Sequence, residues 1–199
     1  MTSPLNARLV PLSLLAKSAW ANGTGYTKEI GVGFDRGKGF FVNAGSTEYQ
    51  WRLSLAELTR PADFSLLPGI DRVFTLASPG PVVMTVGREE RTLQQGQKIA
   101  FAGETAVTVK VASDEPQLGL NLMTRRGMCH GNVITAVRHG RVLLNPGVGI
   151  VAATVLTGTA TLNGEKVAAL TTILLGTSPE EIHTESCLMA VVSVSTPPF

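Results

Sequence analysis

Apolar and polar residues alternate in short runs along most of this chain, and turn-forming Gly, Pro, Asn and Asp residues separate the runs. In Gln50–Leu58 the alternation places Trp51, Leu53 and Leu55 on one face of an extended strand. Apolar residues at the helical period of 3.6 are nearly absent. The chain is therefore predicted to be all-β.

The turn pattern indicates how the strands are organised. Asn163 and Gly164 lie between two short strand patterns and predict a two-residue β-hairpin. The stretches 81–104 and 153–176 follow the same order of strand, turn, apolar strand and Gly, which indicates a weak internal duplication. This pattern favours a β-sandwich or a double-stranded barrel, and two such units would join near 127–133.

Composition argues against several classes of partner. Charged residues make up 16% of the chain, the net charge is +2, and Lys and Arg form no dense run, so no nucleic acid is expected. No apolar run approaches the ~18 residues of a membrane-spanning helix. The apolar stretch 9–16 is broken by Pro11 and Ser13 and predicts a first strand rather than an export signal. Cys129 and Cys187 are expected to be reduced thiols of a cytoplasmic protein.

Motifs for metal, nucleotide or nucleophile chemistry are missing from the sequence. The histidines, His130, His139 and His183, form no His-x-His pair of the kind that binds metal in small β-barrels. The glycine-rich stretch 31–39 opens no helix, so it predicts a hairpin tip rather than a phosphate loop. No Gly-x-Ser-x-Gly elbow occurs. Neither a metal nor another cofactor is expected.

Arginines near strand ends are the most informative polar residues of the first half. Arg52 and Arg72 have apolar neighbours, and Arg125 ends a further strand pattern. The planar guanidinium binds a carboxylate bidentately, so a pocket that gathers two of them would select a small anion. A structural interpretation is also open, in which Arg72 pairs with Asp71 or Glu57 and closes the end of a barrel.

Five motifs, in order along the chain, resemble the HutD/Ves family. They are W-x-N-G-x-G-x-T-x-E-I at Trp20–Ile30, WR-x-S-x-AE at Trp51–Glu57, FS-x-x-PGIDR at Phe64–Arg72, F-x-G at Phe101–Gly103 and N-x-M-x-RRG at Asn121–Gly127. The chain departs from the family pattern at Ala21, where Lys or Arg is common, and at Thr24, where a third Gly is common. A ligand different from that of the namesake is therefore open.

The resemblance implies a cytoplasmic bacterial protein with a bicupin-like fold, that is, two packed β-barrel or β-sandwich units. We expect a first unit over 1–127 that contains the pocket and a smaller second unit over 128–199. The resemblance further implies a non-enzymatic protein that binds a small acidic metabolite, such as formiminoglutamate or an acyl-glutamate, and restrains histidine utilisation.

A ligand site follows from these motifs and residue types. Arg72 is expected to bind the anion while Asp71 orients it, and Arg52 is expected to be a second anchor. Arg126 points away from this face and is assigned to structure or an interface. The predicted ligand-binding residues are Trp20, Asn22, Arg52, Asp71, Arg72, Asn121 and Arg125.

Two other functions are open at this point. One is a metal-free cupin-like isomerase or hydrolase of a small carboxylate, with Glu57 or Asp71 as general base. The other is an interaction module in which exposed Val and Leu side chains of 152–175 form a homodimer face. Turnover of an acidic amide would separate the enzyme from the binding protein.

Overall fold

The fold is described from a computed structural model that covers residues 6–20, 23–35, 40–42, 49–112 and 115–196, with backbone alone at 35 and 40–42. Nearly all regular structure in these ranges is β-strand, so the prediction of an all-β chain is confirmed. The same ranges contain no helix long and apolar enough to cross a bilayer.

The strands follow one another through the chain with two 3-10 helices between them. The 3-10 helices are Leu12–Leu14 and Pro146–Val148. The strands are β1 (Arg8–Pro11), β2 (Ser18–Ala19), β3 (Gly25–Asp35), β4 (Phe40–Val42), β5 (Trp51–Leu58), β6 (Ala62–Asp63), β7 (Ile70–Leu76), β8 (Val82–Val86), β9 (Glu89–Leu93), β10 (Lys98–Ala102), β11 (Val107–Val111), β12 (Gln117–Arg125), β13 (His130–Leu144), β14 (Ile150–Thr157), β15 (Ala160–Leu162), β16 (Glu165–Val167), β17 (Thr171–Leu174) and β18 (Glu180–Ser195).

The described strands pair antiparallel in three sheets. The central sheet has the order β10-β7-β12-β5-β3-β2, with β4 beside β3. A smaller sheet has the order β6-β11-β8-β9. The third sheet has the order β1-β17-β14-β18-β15-β16, with β13 beside β18. The N-terminal strand β1 therefore lies among the C-terminal strands, because its partner is β17.

The central sheet is buried on both faces. Trp51 and Leu53 on one face belong to a core cluster shared with the third sheet. Phe74 and Leu76 on the other face belong to a cluster shared with the smaller sheet. A third cluster fills the interior formed by the C-terminal strands. Strand β5 is consequently buried along most of its length on both faces, as expected for a strand between two cores.

Several local predictions are confirmed. Trp51, Leu53 and Leu55 share the buried face that the alternation predicts. Asn163 and Gly164 form the predicted hairpin turn between β15 and β16, with positive φ angles of 50° and 81°. The division into two bicupin-like units stays a prediction.

The predicted homodimer face over 152–175 is wrong in its premise of exposure. Val155, Leu156 and Ile173, all within it, are at most 2% exposed and pack inside the molecule. Large apolar side chains that are exposed in this half lie elsewhere: Ile134, Val137 and Leu143 on β13, Met128 before it and Val148 in the second 3-10 helix. Among the described strands β13 pairs with β18 alone, and its register shifts at a bulge between Arg138 and Gly140.

Gly119 on β12 shows how tightly the inner core is packed. A Cβ atom at this position would lie 2.1 Å from the ring of Phe74, which is fully buried. We expect Gly119→Ala to lower the free energy of unfolding by about 1–3 kcal/mol, the usual cost of overpacking, in urea denaturation.

The double-mutant cycle with Phe74→Leu is the control, because the smaller side chain removes the ring atoms that a Cβ would meet. In that background the cost of Gly119→Ala should fall below about 1 kcal/mol. An equal cost in both backgrounds would contradict this account.

Candidate functional site

Two arginines lie in one row across the central sheet. Met123 on β12 pairs with Arg52 on β5 and with Arg72 on β7. Residues opposite one another in a ladder point to the same face, and strands are about 4.8 Å apart, so the two arginine backbones are roughly 10 Å apart. In the next row on this face Asn121 pairs with Ser54 and Phe74. The register thus places two cations and one amide on a single surface.

This surface opens into a cavity of about 320 Å³, which we call the Arg72 cavity. Four of the predicted ligand-binding residues line it, namely Trp20, Arg52, Arg72 and Asn121. The lining residues not predicted from sequence are Thr27, Asp63, Phe64, Ser65, Leu67 and Met123. Phe64 and Ser65 belong to the FS-x-x-PGIDR motif, so their place beside Arg72 was available as a signal.

Arg72 is nearly buried and poorly satisfied. Its side chain lies over the rings of Phe64 and Phe101, at 4.7 and 5.2 Å from the ring centroids, and the residue is 4% exposed. Nη1 donates to the Ser65 carbonyl at 3.3 Å, and Nε has no hydrogen-bond partner among the described residues. Burial lowers the pKa of Arg72 to about 10, so the guanidinium is still charged at neutral pH.

Neither carboxylate that the structural interpretation offers to Arg72 pairs with it. Asp71 binds Arg126, with 2.7 Å between Oδ1 and Nη2. Glu57 binds Lys17 at 2.6 Å and lies 4.0 Å from Lys28. Within the described part of the chain, no ion pair to Arg72 is formed. The buried guanidinium therefore lacks a counter-ion among the residues that the structure describes.

The cavity also contains an unpaired acceptor and a fixed aromatic wall. Asn121 is 4% exposed, and its Oδ1 atom has no hydrogen-bond partner among the described residues. Trp20 Nε1 donates to Thr27 Oγ1 at 2.8 Å, and the Trp20 indole packs against Phe64 at a centroid distance of 6.0 Å. The indole is held in place by both contacts, so it can form a wall of a binding site.

The second arginine of the row has a partner. Arg52 Nε donates to Glu29 Oε2 at 3.0 Å, and both side chains are about a quarter exposed, at 26% and 30%. Asp63 is exposed at the edge of the cavity and adds a negative charge. The charge of Arg52 is thus offset by Glu29, whereas no described residue offsets the charge of Arg72.

Two of the other predicted site residues, Asp71 and Arg125, lie elsewhere. Asp71 precedes Arg72 on β7 and points to the opposite face. Arg125 Nε donates to the Tyr49 carbonyl at 2.8 Å, and Arg125 does not line the cavity. Asn22 lies outside the described residues. The structure therefore brings together four of the seven predicted residues.

A group of three charged residues, which we call the Arg126 clamp, holds the turn before Arg72. Arg126 binds Asp71 and binds Glu104 at 3.0 Å through both carboxylate oxygens. Glu104 also accepts from the Gly69 backbone N–H at 2.7 Å. Gly103 allows the close approach, because a Cβ atom there would lie 2.2 Å from the Leu67 carbonyl oxygen. The assignment of Arg126 to structure agrees with this arrangement.

Histidine and acidic residues do not gather into a metal centre in the described ranges. No group of three or more His, Cys, Asp or Glu side chains that could hold a metal ion occurs there. His130 and His139 lie on β13 and His183 lies on β18, so all three belong to the third sheet.

Comparison with known sequences gives one family. The HutD family profile matches residues 13–185 of the chain. Protein Ves of Citrobacter koseri is 34% identical over 132 residues, which cover 66% of this chain and 62% of that protein. Protein Ves of Cronobacter sakazakii is 36% identical over 120 residues, covering 60% and 61%. The chain thus spans somewhat under two thirds of the length of these relatives.

Comparison with solved structures gives the fold. HutD from Pseudomonas fluorescens SBW25 superposes with a TM-score of 0.75 at 21% identity, over 96% of this chain and all of that chain. The Cupin 2 conserved barrel domain protein from Leptotrichia buccalis superposes with a TM-score of 0.58 at 12% identity, over 98% of this chain and 100% of that chain. The all-β, cupin-like fold predicted from the sequence is therefore confirmed.

The Arg126 clamp makes stability depend on pH in acid. Hydrogen bonds from Arg126 and from the backbone lower the pKa of Glu104 to about 2, below its ordinary value of 4.5. Stabilisation by ionised Glu104 is therefore complete above pH 4.5 and is lost as the pH falls toward 2. We expect Glu104→Gln to be less stable than wild type at pH 7, and the difference to shrink over this acidic range in urea denaturation.

Glu89→Gln is the matched control, because Glu89 is an exposed carboxylate whose partner, Arg91, lies on the same short strand. A difference between wild type and Glu104→Gln that is constant from pH 7 to pH 2, or that is equalled by Glu89→Gln, would contradict a role of the clamp.

Proposed function

This chain belongs to the HutD family, and we propose that it binds a small carboxylate metabolite in the Arg72 cavity without converting it. The observation that carries this proposal is the buried guanidinium of Arg72, which has no counter-ion among the described residues. A buried charge is costly unless it is paired and hydrogen-bonded. A ligand carboxylate would supply both the opposite charge and the missing acceptors.

The surroundings of Arg72 suit this ligand. Phe64 and Phe101 contact the guanidinium through their rings and offer cation–π attraction but no acceptor in its plane. The donors of a guanidinium lie in its plane and match the two oxygens of a carboxylate. A carboxylate in the cavity could therefore pair with donors of Arg72 that the Ser65 carbonyl leaves unused.

The family context supplies the biological role in the proposal. The family name and the motifs of this chain imply a cytoplasmic protein that binds an acidic intermediate of histidine degradation and restrains the pathway. The two Ves relatives match 66% and 60% of this chain, and we include the link to histidine degradation in the proposal. Formiminoglutamate and acyl-glutamates are the first compounds to test.

Binding is favoured over catalysis by the position of the carboxylates considered as general bases. Asp71 is held in the Arg126 clamp on the opposite face of β7. Glu57 is absent from the lining of the Arg72 cavity and instead lines a separate cavity with Lys28, between the central and third sheets. Incubation with formiminoglutamate or formylglutamate, followed by mass spectrometry, should show no conversion. Turnover of either compound would favour the enzyme.

Arg72→Met tests the binding proposal most directly. Loss of one charge-assisted interaction of about 1.5–3 kcal/mol should weaken binding of a carboxylate roughly ten- to a hundredfold in titration calorimetry. The free energy of unfolding of the ligand-free variant should be equal to or above that of wild type, because the substitution removes an unpaired buried charge and retains most of the side-chain volume.

Arg88→Met is the matched control, since Arg88 is exposed in the turn between β8 and β9. It should leave both quantities unchanged. If Arg72→Met is strongly destabilised and no acidic ligand stabilises the wild type in a thermal-shift assay, Arg72 is a structural residue and the proposal fails.

A further inference from the structure

The Arg72 cavity presents one unbalanced positive charge rather than two. Arg72 has no acidic partner among the described residues, but the other arginine of the row, Arg52, is bound to Glu29 at 3.0 Å. Asp63 at the edge adds a further negative charge without a cation of its own within ion-pair distance in the described ranges. A ligand with two anionic groups would therefore meet one free cation and, beyond it, a carboxylate-rich edge.

Asn121, which lines the cavity, has a buried acceptor atom, Oδ1, that lacks a hydrogen-bond donor among the described residues. Asn121 Oδ1 is buried and has no partner among the described residues, so its desolvation is uncompensated. A second carboxylate cannot satisfy it, because an ionised carboxylate only accepts hydrogen bonds. An N–H group can.

The register places this acceptor at a useful distance from Arg72. Asn121 is opposite Phe74, which is two residues beyond Arg72 on β7. Such diagonal neighbours in an antiparallel pair are roughly 7–8 Å apart between backbones. A carboxylate bound to Arg72 and an N–H one or two atoms away from it would span the space between the two side chains.

We infer that the ligand of this chain is a monocarboxylate with an amide N–H near the carboxylate, such as an N-acylated amino acid with an uncharged side chain, and not a dicarboxylate. This inference rests on the carboxylate binding of the proposed function, and it favours a related monocarboxylate over the dicarboxylates formiminoglutamate and acyl-glutamate. Glu29 is its specificity-determining residue, because Glu29 neutralises Arg52, the cation that a second ligand carboxylate would require.

The preference for a ligand with a single negative charge can be tested with N-acetylglutamine and N-acetylglutamate. These compounds have nearly the same shape and differ by one carboxylate. In titration calorimetry at pH 7, wild type should bind the glutamine compound about tenfold more tightly, because the second carboxylate finds Arg52 already paired with Glu29 and is repelled by Asp63. In Glu29→Gln, Arg52 loses its partner, so the preference should vanish or reverse. Arg72→Met should weaken both compounds.

The role of the ligand N–H can be tested with N-acetylglycine and acetoxyacetate. Acetoxyacetate has an ester oxygen in place of the amide N–H of N-acetylglycine. Wild type should bind the amide about five- to tenfold more tightly, because the ester leaves Asn121 Oδ1 unpaired and sets two acceptors against each other. Asn121→Ala should bind both compounds with similar affinity. Its thermal unfolding and its residual binding of N-acetylglycine verify that the variant is folded.

The outcomes of these titrations distinguish a wrong ligand class from a failure of carboxylate binding at Arg72. Tighter binding of N-acetylglutamate by wild type, unchanged by Glu29→Gln yet weakened by Arg72→Met, would overturn the inference and leave carboxylate binding at Arg72 in place. Equal affinity for the amide and the ester would overturn the role of Asn121. Absence of binding by all four compounds would overturn both the inference and the proposed function.

Discussion

Burial of the central sheet on both faces is the constraint on which the candidate site depends. The third sheet covers the face that carries Trp51 and Leu53, and the smaller sheet covers the face that carries Phe74 and Leu76. A polar side chain that points to either face of such a sheet is removed from water, whether or not it has a hydrogen-bond or ion-pair partner. In a sheet with one face exposed to solvent, water would hydrate the guanidinium of Arg72. The burial of the Arg72 charge is thus a consequence of the packing of the smaller sheet against the central sheet.

Sequence periodicity predicted which residues share a face, but not how far along that face they lie. Alternation places Arg72 on the same face as Phe74 and Leu76, and Asn121 on the same face as Arg125. Yet four residues of strand separate Asn121 from Arg125, which is about 13 Å at 3.3 Å per residue, so only Asn121 reaches the cavity. The row that aligns Arg52 with Arg72 depends on the register of three strands distant in sequence, which no local pattern specifies.

Partners of the charged residues were the least predictable feature. Asp71 and Arg72 are adjacent in sequence, and that proximity suggested an ion pair, although neighbours on a strand point to opposite faces. The actual partner of Asp71, Arg126, is 55 residues away, and Glu104 completes the clamp from a third segment. The residues that shape the turn are therefore separate from those that would contact a ligand. The specificity role that we infer for Glu29 can therefore be tested without disturbing the clamp, which Glu29 does not contact.

The exposed apolar side chains of strand β13 affect the tendency of partly folded chains to aggregate. A strand of 15 residues with Ile134, Val137 and Leu143 exposed is the kind of β-edge on which partly folded chains aggregate. The bulge between Arg138 and Gly140 interrupts its regular hydrogen-bonding pattern, and the basic residues Arg138 and Arg141 flank the interruption. Two copies meeting in antiparallel alignment at this point would bring like charges together. The bulge and its arginines thus oppose edge-to-edge pairing of this strand between copies of the chain.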